Sequence, residues 1–201
     1  MFGIACFQSA SKVTHLSKVV FFDSMEEIEV KILNIDGPKV EEKLVSLGAK
    51  KVFDGEIESL FFDFKNRAIA KSKNVIRLRR EGAKSVLTFK KFLSNEAVKD
   101  VEEVEVAVSD LTKMKRILEF LGLSTTSSTR KHRVSYSLGK VNFDIDKYKQ
   151  QYAHIPEFLE IEAEDAGTIH KYANLLGFTR EDCVPWSTEQ LVSYYSKKTS
   201  K

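Results

Sequence analysis

Glu27-Ile28-Glu29-Val30-Lys31 sets two carboxylates and an ammonium at every second position. In an extended strand alternate side chains share a face, so these three charges project together. The spacing returns in Arg77-Leu78-Arg79, Glu103-Val104-Glu105, Lys131-His132-Arg133, Asp144-Ile145-Asp146 and Glu160-Ile161-Glu162, and Lys90 joins them in Leu87-Thr88-Phe89-Lys90. Sorted by parity, one face gathers eight acids (Glu27, Glu29, Glu103, Glu105, Asp144, Asp146, Glu160, Glu162) and six bases (Lys31, Arg77, Arg79, Lys90, Lys131, Arg133). Carboxylates are hard oxygen ligands for magnesium-like ions. Arginine and lysine neutralise and orient phosphate oxygens. A face carrying both suits metal ions and phosphates together.

The elements that must position these charges repeat. Three times a strand with two spaced glutamates leads into an amphipathic helix that ends at Leu-Gly: after Glu29 with stripe Val40, Leu44 and Leu47, after Glu105 with Leu111, Met114, Leu118 and Leu121, and after Glu162 with Ile169, Tyr172 and Leu176. Asp36 and Pro38 mark the first helix start, and Ser109 or Asp110 the second. Gly48, Gly122 and Gly177 stand where glycine favours a helix end. Further strands are expected over 59–64, 75–80, 85–91, 131–138 and 141–147, with Ser137-Leu138-Gly139-Lys140 as a tight hairpin. With the three glutamate strands the count is eight. Eight antiparallel strands can close into a barrel, so an α+β fold follows: an eight-stranded closed barrel with the helices packed outside. A last helix is expected over 187–195, opened by a capping box of Ser187 and Gln190.

Patterning alone also admits an ordinary sheet with a wet charged face. Three features favour an enclosed lumen. The helices need the apolar parity to cover, which leaves the charged parity inside. That charged face holds almost no serine or threonine, the usual filler of a solvated sheet. Acid pairs and basic pairs sit on different strands, and buried charges need mutual pairing or a polyvalent ligand.

Composition bounds the rest. The chain has 201 residues, 42% of them apolar, enough for one core, and a formal charge of only +3, which weakens a nucleic-acid role. Cys6 and Cys183 form no disulfide framework, so a reducing, cytoplasmic setting is expected, and no apolar run reaches the length of a membrane helix. Residues 1–24 lack periodicity and place their charge wrongly for a signal peptide. They read as a leader, with a transit peptide or a true start at Met25 as alternatives, before a domain over 25–196 and a solvated tail over 197–201. Trp186 is expected beside the last helix in the core, and His132 as a packed residue. His154 falls in the loop before the last strand, and 65–73 reads as a solvated basic loop.

The ordered set from Glu27-x-Glu29-x-Lys31 through Ile155-Pro156-Glu157-Phe158-Leu159-Glu160-Ile161-Glu162 resembles the CYTH domain, or triphosphate tunnel metalloenzyme, family over residues 25–195. The resemblance implies a small-molecule triphosphate (inorganic triphosphate, thiamine triphosphate or ATP) bound with Mg2+ or Mn2+ inside an eight-stranded tunnel. Carried over by position, Glu27, Glu29, Glu160 and Glu162 would hold metal, assisted by Asp144 or Asp146. Lys31, Arg77, Arg79, Lys90, Lys131 and Arg133 would bind phosphates, with Lys31, Arg77 and Arg79 closest to the chemistry. Glu103 and Glu105 would bind metal or position the basic residues. Hydrolysis of inorganic or small organic triphosphates is the expected activity. A class IV adenylyl cyclase, a non-catalytic polyphosphate- or nucleotide-binding module and a ligand-free adaptor stay open, as does a homodimer.

Overall fold

Alternation of apolar and charged residues produces the strand β1 (Ile28–Leu33), and the N-cap of Asp36 starts α1 (Gly37–Ser46) directly after it. The computed structural model describes residues 28–94 and 100–199, so Glu27 and the expected leader 1–24 lie outside the described residues. The chain continues through β2 (Lys50–Phe64), α2 (Ala68–Lys71), β3 (Val75–Glu81), β4 (Lys84–Ser94) and β5 (Asp100–Ala107). Then follow α3 (Leu111–Phe120), β6 (Leu123–Leu138), β7 (Val141–Tyr148), β8 (Phe158–Ala163), α4 (Ala166–Leu175), β9 (Cys183–Val184) and α5 (Thr188–Thr199).

The repeated strand–helix unit is present three times. Asp36, Asp110 and Asp165 each accept a hydrogen bond from the backbone N–H three residues on, at 3.3, 2.9 and 2.8 Å. Each thereby satisfies one orphan donor of its helix. Gly48, Gly122 and Gly177 end the helices at φ of +86, +89 and +87°, a region that only glycine enters without steric cost.

All strands pair antiparallel, in the order β5-β4-β3-β2-β6-β7-β8-β1-β9. The sheet therefore has nine strands and is not a hydrogen-bond-closed eight-stranded barrel. The reason is local: the outer edge of β1 is taken at Lys31 and Ile32 by the two-residue β9, and among the described residues β5 is hydrogen-bonded only to β4. Two strands are also longer than the sequence suggested. β2 begins at Lys50, where Gly55 and a bulge obscure the period, and β6 begins at Leu123, in a serine- and threonine-rich run. Part of the expected basic loop is the short α2, held by Asp63, which accepts from the N–H groups of Phe64, Ile69 and Ala70.

On the apolar face α1 and α4 cover β1, β7 and β8, burying Val40, Leu44, Ile169, Phe143 and Ile161 together. α3 covers Phe62, Leu78 and Leu123 through Leu118. α5 departs from the expected outside packing. Its Leu191 and Tyr195 bury against Tyr148, Ile155 and Phe158, with Leu33 and Trp186 alongside. Register puts Leu33 opposite Phe158, Phe158 opposite Asp146, and Tyr148 opposite Lys131, so these residues belong to the charged parity. The charged face turns apolar at this end, and α5 caps it there. The capping box forms as expected, with Ser187 N–H donating to Gln190 and Gln190 N–H donating to Ser187.

Leu191 is completely buried in that cap. Leu191→Ala should cost about 2–5 kcal/mol in chemical denaturation, the range for a fully buried leucine.

Candidate functional site

The charged parity is buried: Lys31 is 2% exposed, Asp146 and Thr88 0%, and Arg133 9%. α5 covers one end of this face, and the curl of the sheet encloses the rest, which removes the wet-sheet alternative. The face is also less purely charged than expected, because Ser59, Thr88 and Ser135 are buried on it.

Strand register explains how distant residues meet. Glu29 stands opposite Glu162, which stands opposite Asn142. One step along, Lys31 faces Glu160, Glu160 faces Asp144, and Asp144 faces Ser135. Arg133 faces Asp146 across β6 and β7. Its guanidinium donates from Nε to Asp146 Oδ1 at 2.7 Å and from Nη2 to Asp146 Oδ2 at 2.5 Å. The same group reaches Asp144 through Nη1 and Glu160 through Nη2. Lys131 donates to Asp146 at 2.5 Å and lies 3.9 Å from Glu160. Lys31 donates to Glu29 and lies 3.1 Å from Glu160.

On this wall every buried charge has an opposite charge in contact. Burial pushes the Glu160 carboxyl up, but Lys131, Lys31 and Arg133 outweigh it and hold the group well below the ordinary carboxylate range. Burial lowers the Lys31 ammonium, and Glu160 with Glu29 more than reverses that. Asp144 goes the other way: burial raises it, Arg133 opposes, and Asp146 and Glu160 add to the rise.

The wall made by β3, β4 and β5 is different. Arg77 and Arg79 project inward two residues apart, both partly buried. Arg77 Nη2 is 3.4 Å from Thr88 Oγ1 and 3.7 Å from both Glu103 and Glu105, while Arg79 Nη2 is 3.6 Å from Glu81. Those carboxylates have nearer partners: Lys90 lies 2.5 Å from Glu103, and Thr88 donates to Glu105 at 2.7 Å. The Nε atoms of Arg77 and Arg79 are buried with no hydrogen-bond partner. Burial lowers the Arg77 pKa and neighbouring Arg79 lowers it further. Two guanidinium groups thus sit with less negative charge than they can accept. Arg80, of opposite parity, points out and pairs with Glu58.

For cations the donor chemistry is suitable but already engaged. Glu29, Glu160, Glu162, Asp144 and Asp146 are hard oxygen donors on adjacent strands, the type that magnesium and manganese take. Three of them close on Arg133, and Lys31 sits between Glu29 and Glu160. Among the described residues no group of three or more acids, histidines or cysteines is disposed to hold a metal ion. Trp186 packs beside α5 as expected, whereas His132 sits part-exposed on the outer face, 3.2 Å from Asp54. No helix among the described residues is long and apolar enough to cross a membrane.

A curled antiparallel sheet with paired acids and bases on one wall, two undercompensated arginines on the other and helices on its apolar side defines an α+β domain with an enclosed charged face. Residues 25–174 match the CYTH domain, and the chain belongs to that family. It is 30% identical over 122 residues, 61% of this chain and 70% of the relative, to "Putative adenylate cyclase MJ0240" of Methanocaldococcus jannaschii. The PH1012 protein of Pyrococcus horikoshii OT3 superposes with a TM-score of 0.67 at 26% identity, covering 82% of this chain and 98% of that one. The Hippeastrum protein HpAC1, described as having a dominant triphosphatase activity, superposes with a TM-score of 0.60 at 18% identity, over 85% and 96% of the two chains.

The two walls respond oppositely to neutralisation. Asp146→Asn leaves Lys131 and Arg133 short of their buried partner and should destabilise the chain by about 3–5 kcal/mol. Arg77→Met removes a poorly compensated buried cation and should raise the ligand-free stability by on the order of 1 kcal/mol. Paired denaturant titrations of both variants check the contrast.

Proposed function

We propose that this chain is a divalent-metal-dependent enzyme that binds a triphosphate on its enclosed face and hydrolyses inorganic or small organic triphosphates. The observation that carries the reading is the pair Arg77 and Arg79, partly buried side by side with buried, unpartnered Nε atoms. A polyanion in contact with them supplies the charge and the acceptors they lack. Lys90, Lys131, Arg133 and Lys31 extend the basic surface to either side. Glu29, Glu160 and Glu162, with Glu27 and Asp144, would hold the metal. When bound, the metal would neutralise phosphate oxygens and lower the pKa of a water molecule.

The protein's own task is then positioning. Phosphoryl transfer needs little covalent chemistry from the enzyme, so most of the rate comes from orientation and charge stabilisation. Arg77 and Arg79 would meet the negative charge of the reacting phosphate. Asp146 would fix Lys131 and Arg133, and Glu103 and Glu105 would orient Lys90 and Arg77. Burial of this face excludes bulk water and strengthens each of these interactions.

Adenylyl cyclisation is the second reading, favoured by the name of the Methanocaldococcus relative. It uses the same grip with a ribose hydroxyl attacking the α-phosphorus. Incubation with tripolyphosphate, thiamine triphosphate and ATP, each with Mg2+, Mn2+ or excess EDTA, separates the outcomes by product chromatography. Free phosphate is expected, cyclic AMP with pyrophosphate would establish the cyclase, and full turnover in EDTA would overturn the metal requirement.

Strand register adds a second test. Arg79→Ala should lower turnover by about 10²–10³, as for loss of other transition-state charge stabilisers. Arg80→Ala should leave it nearly unchanged. Equal losses at both positions would contradict an inward Arg79.

A further inference from the structure

We propose that Phe53 forms the aromatic wall of a subsite at the end of the charged face opposite α5, and that the subsite takes a flat heteroaromatic ring attached to the triphosphate. The inference rests on the triphosphate reading above and deepens it.

Three observations place the ring there. First, β2 carries a bulge between Lys51 and Phe53: Lys51 pairs with Tyr136, whereas Phe53 pairs with Ser135. Without the extra residue Val52, Phe53 would share the outward parity of Lys51. With it, Val52 is left 63% exposed and Phe53 turns inward, in line with Gly55 opposite Arg133 and Ile57 opposite Lys131. Bulges re-aim side chains in this way beside active sites.

Second, the ring is given room. A Cβ added at Gly55 would stand 3.2 Å from Phe53 Cζ, and one added at Gly82 would stand 3.6 Å from the ring. Gly55 has no positive φ to explain it, so its lack of a side chain matters for the ring above it. Third, the ring is not core. Phe53 is partly exposed and belongs to none of the three buried apolar clusters.

Position supplies the ligand class. Phe53 lies two residues along β2 from the position facing Arg133, about 7 Å at strand rise. α5 caps the charged face at Leu33, Tyr148 and Phe158, on the far side of Arg133 from Phe53. At the near end Glu29 is 46% exposed. A triphosphate held between Arg77, Arg79 and Arg133 therefore presents any organic group toward Phe53. A partly exposed phenyl ring there offers a stacking face for a base or other heteroaromatic ring.

The test is a ratio of specificity constants. For parent, Phe53→Leu and Phe53→Trp, kcat/KM is measured with ATP, thiamine triphosphate and tripolyphosphate. Phe53→Leu keeps apolar bulk over Gly55 and Gly82 but loses the ring. It should lower the ratio of an aromatic triphosphate to tripolyphosphate roughly 5- to 100-fold, mainly through KM. Phe53→Trp should retain or raise the ratio. Equal losses for all substrates, an unmoved ratio, or a parent that accepts tripolyphosphate but neither aromatic triphosphate would each overturn the subsite while leaving the triphosphate grip standing. A parent that binds and converts none of the three would overturn the grip itself.

Discussion

Everything in this molecule depends on Asp146 tying its neighbours together at zero exposure. It does so by accepting from both Arg133 and Lys131, and Arg133 in turn reaches Asp144 and Glu160 on the next strands. The apolar parity of the sheet is occupied by α1, α3 and α4, so the charged parity has nowhere to go but inward. An isolated ion there would be prohibitively unfavourable, and a network with every member paired is the arrangement that permits a polar interior at all. The curl of the sheet, the spacing of acids and bases, and the register of six strands all serve that condition.

The two walls differ in how completely their charges are paired. On the β1, β8, β7 and β6 side, charge is nearly saturated and the structure is rigidly specified. On the β3 side, Arg77 and Arg79 are held near one another without adequate compensation, a cost met by the apolar packing of Leu78 and Leu118 behind them. Unsatisfied buried donors are rare, and two adjacent on an enclosed face mark where this fold departs from its own stability optimum.

Much of this was legible in the chain itself. Period-two spacing placed Arg77 and Arg79 on one face and Arg80 on the other, and capping residues marked helix starts at Asp36 and at Ser109 or Asp110, whereas Asp165 was not singled out. The repeats of strand, helix and Leu-Gly gave three of the five helices. That the sheet does not close into the expected barrel was not legible, because the competing partner of β1 is only Cys183 and Val184, too short to show a period. Phe53 was hidden for a related reason: a bulge flips parity, and alternation cannot be counted through it. The serine and threonine contributions of Ser59, Thr88 and Ser135 escaped because small polar residues carry no signal of side. That Arg133 would claim Asp144, Asp146 and Glu160 together depends on side-chain reach across three strands, which spacing does not encode.

One feature of the topology bears on how the protein is made. β1, the first described strand, is seated between β8 and β9, more than 120 positions later, and Tyr195 in α5 donates to Asn34 just after β1. During synthesis β1 must wait for its partners until β8 and β9 have left the ribosome. Lys31 and Glu29 acquire their counter-charges only then. The β1 side of the enclosed face consequently forms late, and a chain that ends before β8 carries Lys31, Arg77, Arg79 and Arg133 without ever assembling that face. Such long-range pairing also makes folding slow relative to the local strand–helix units that precede it.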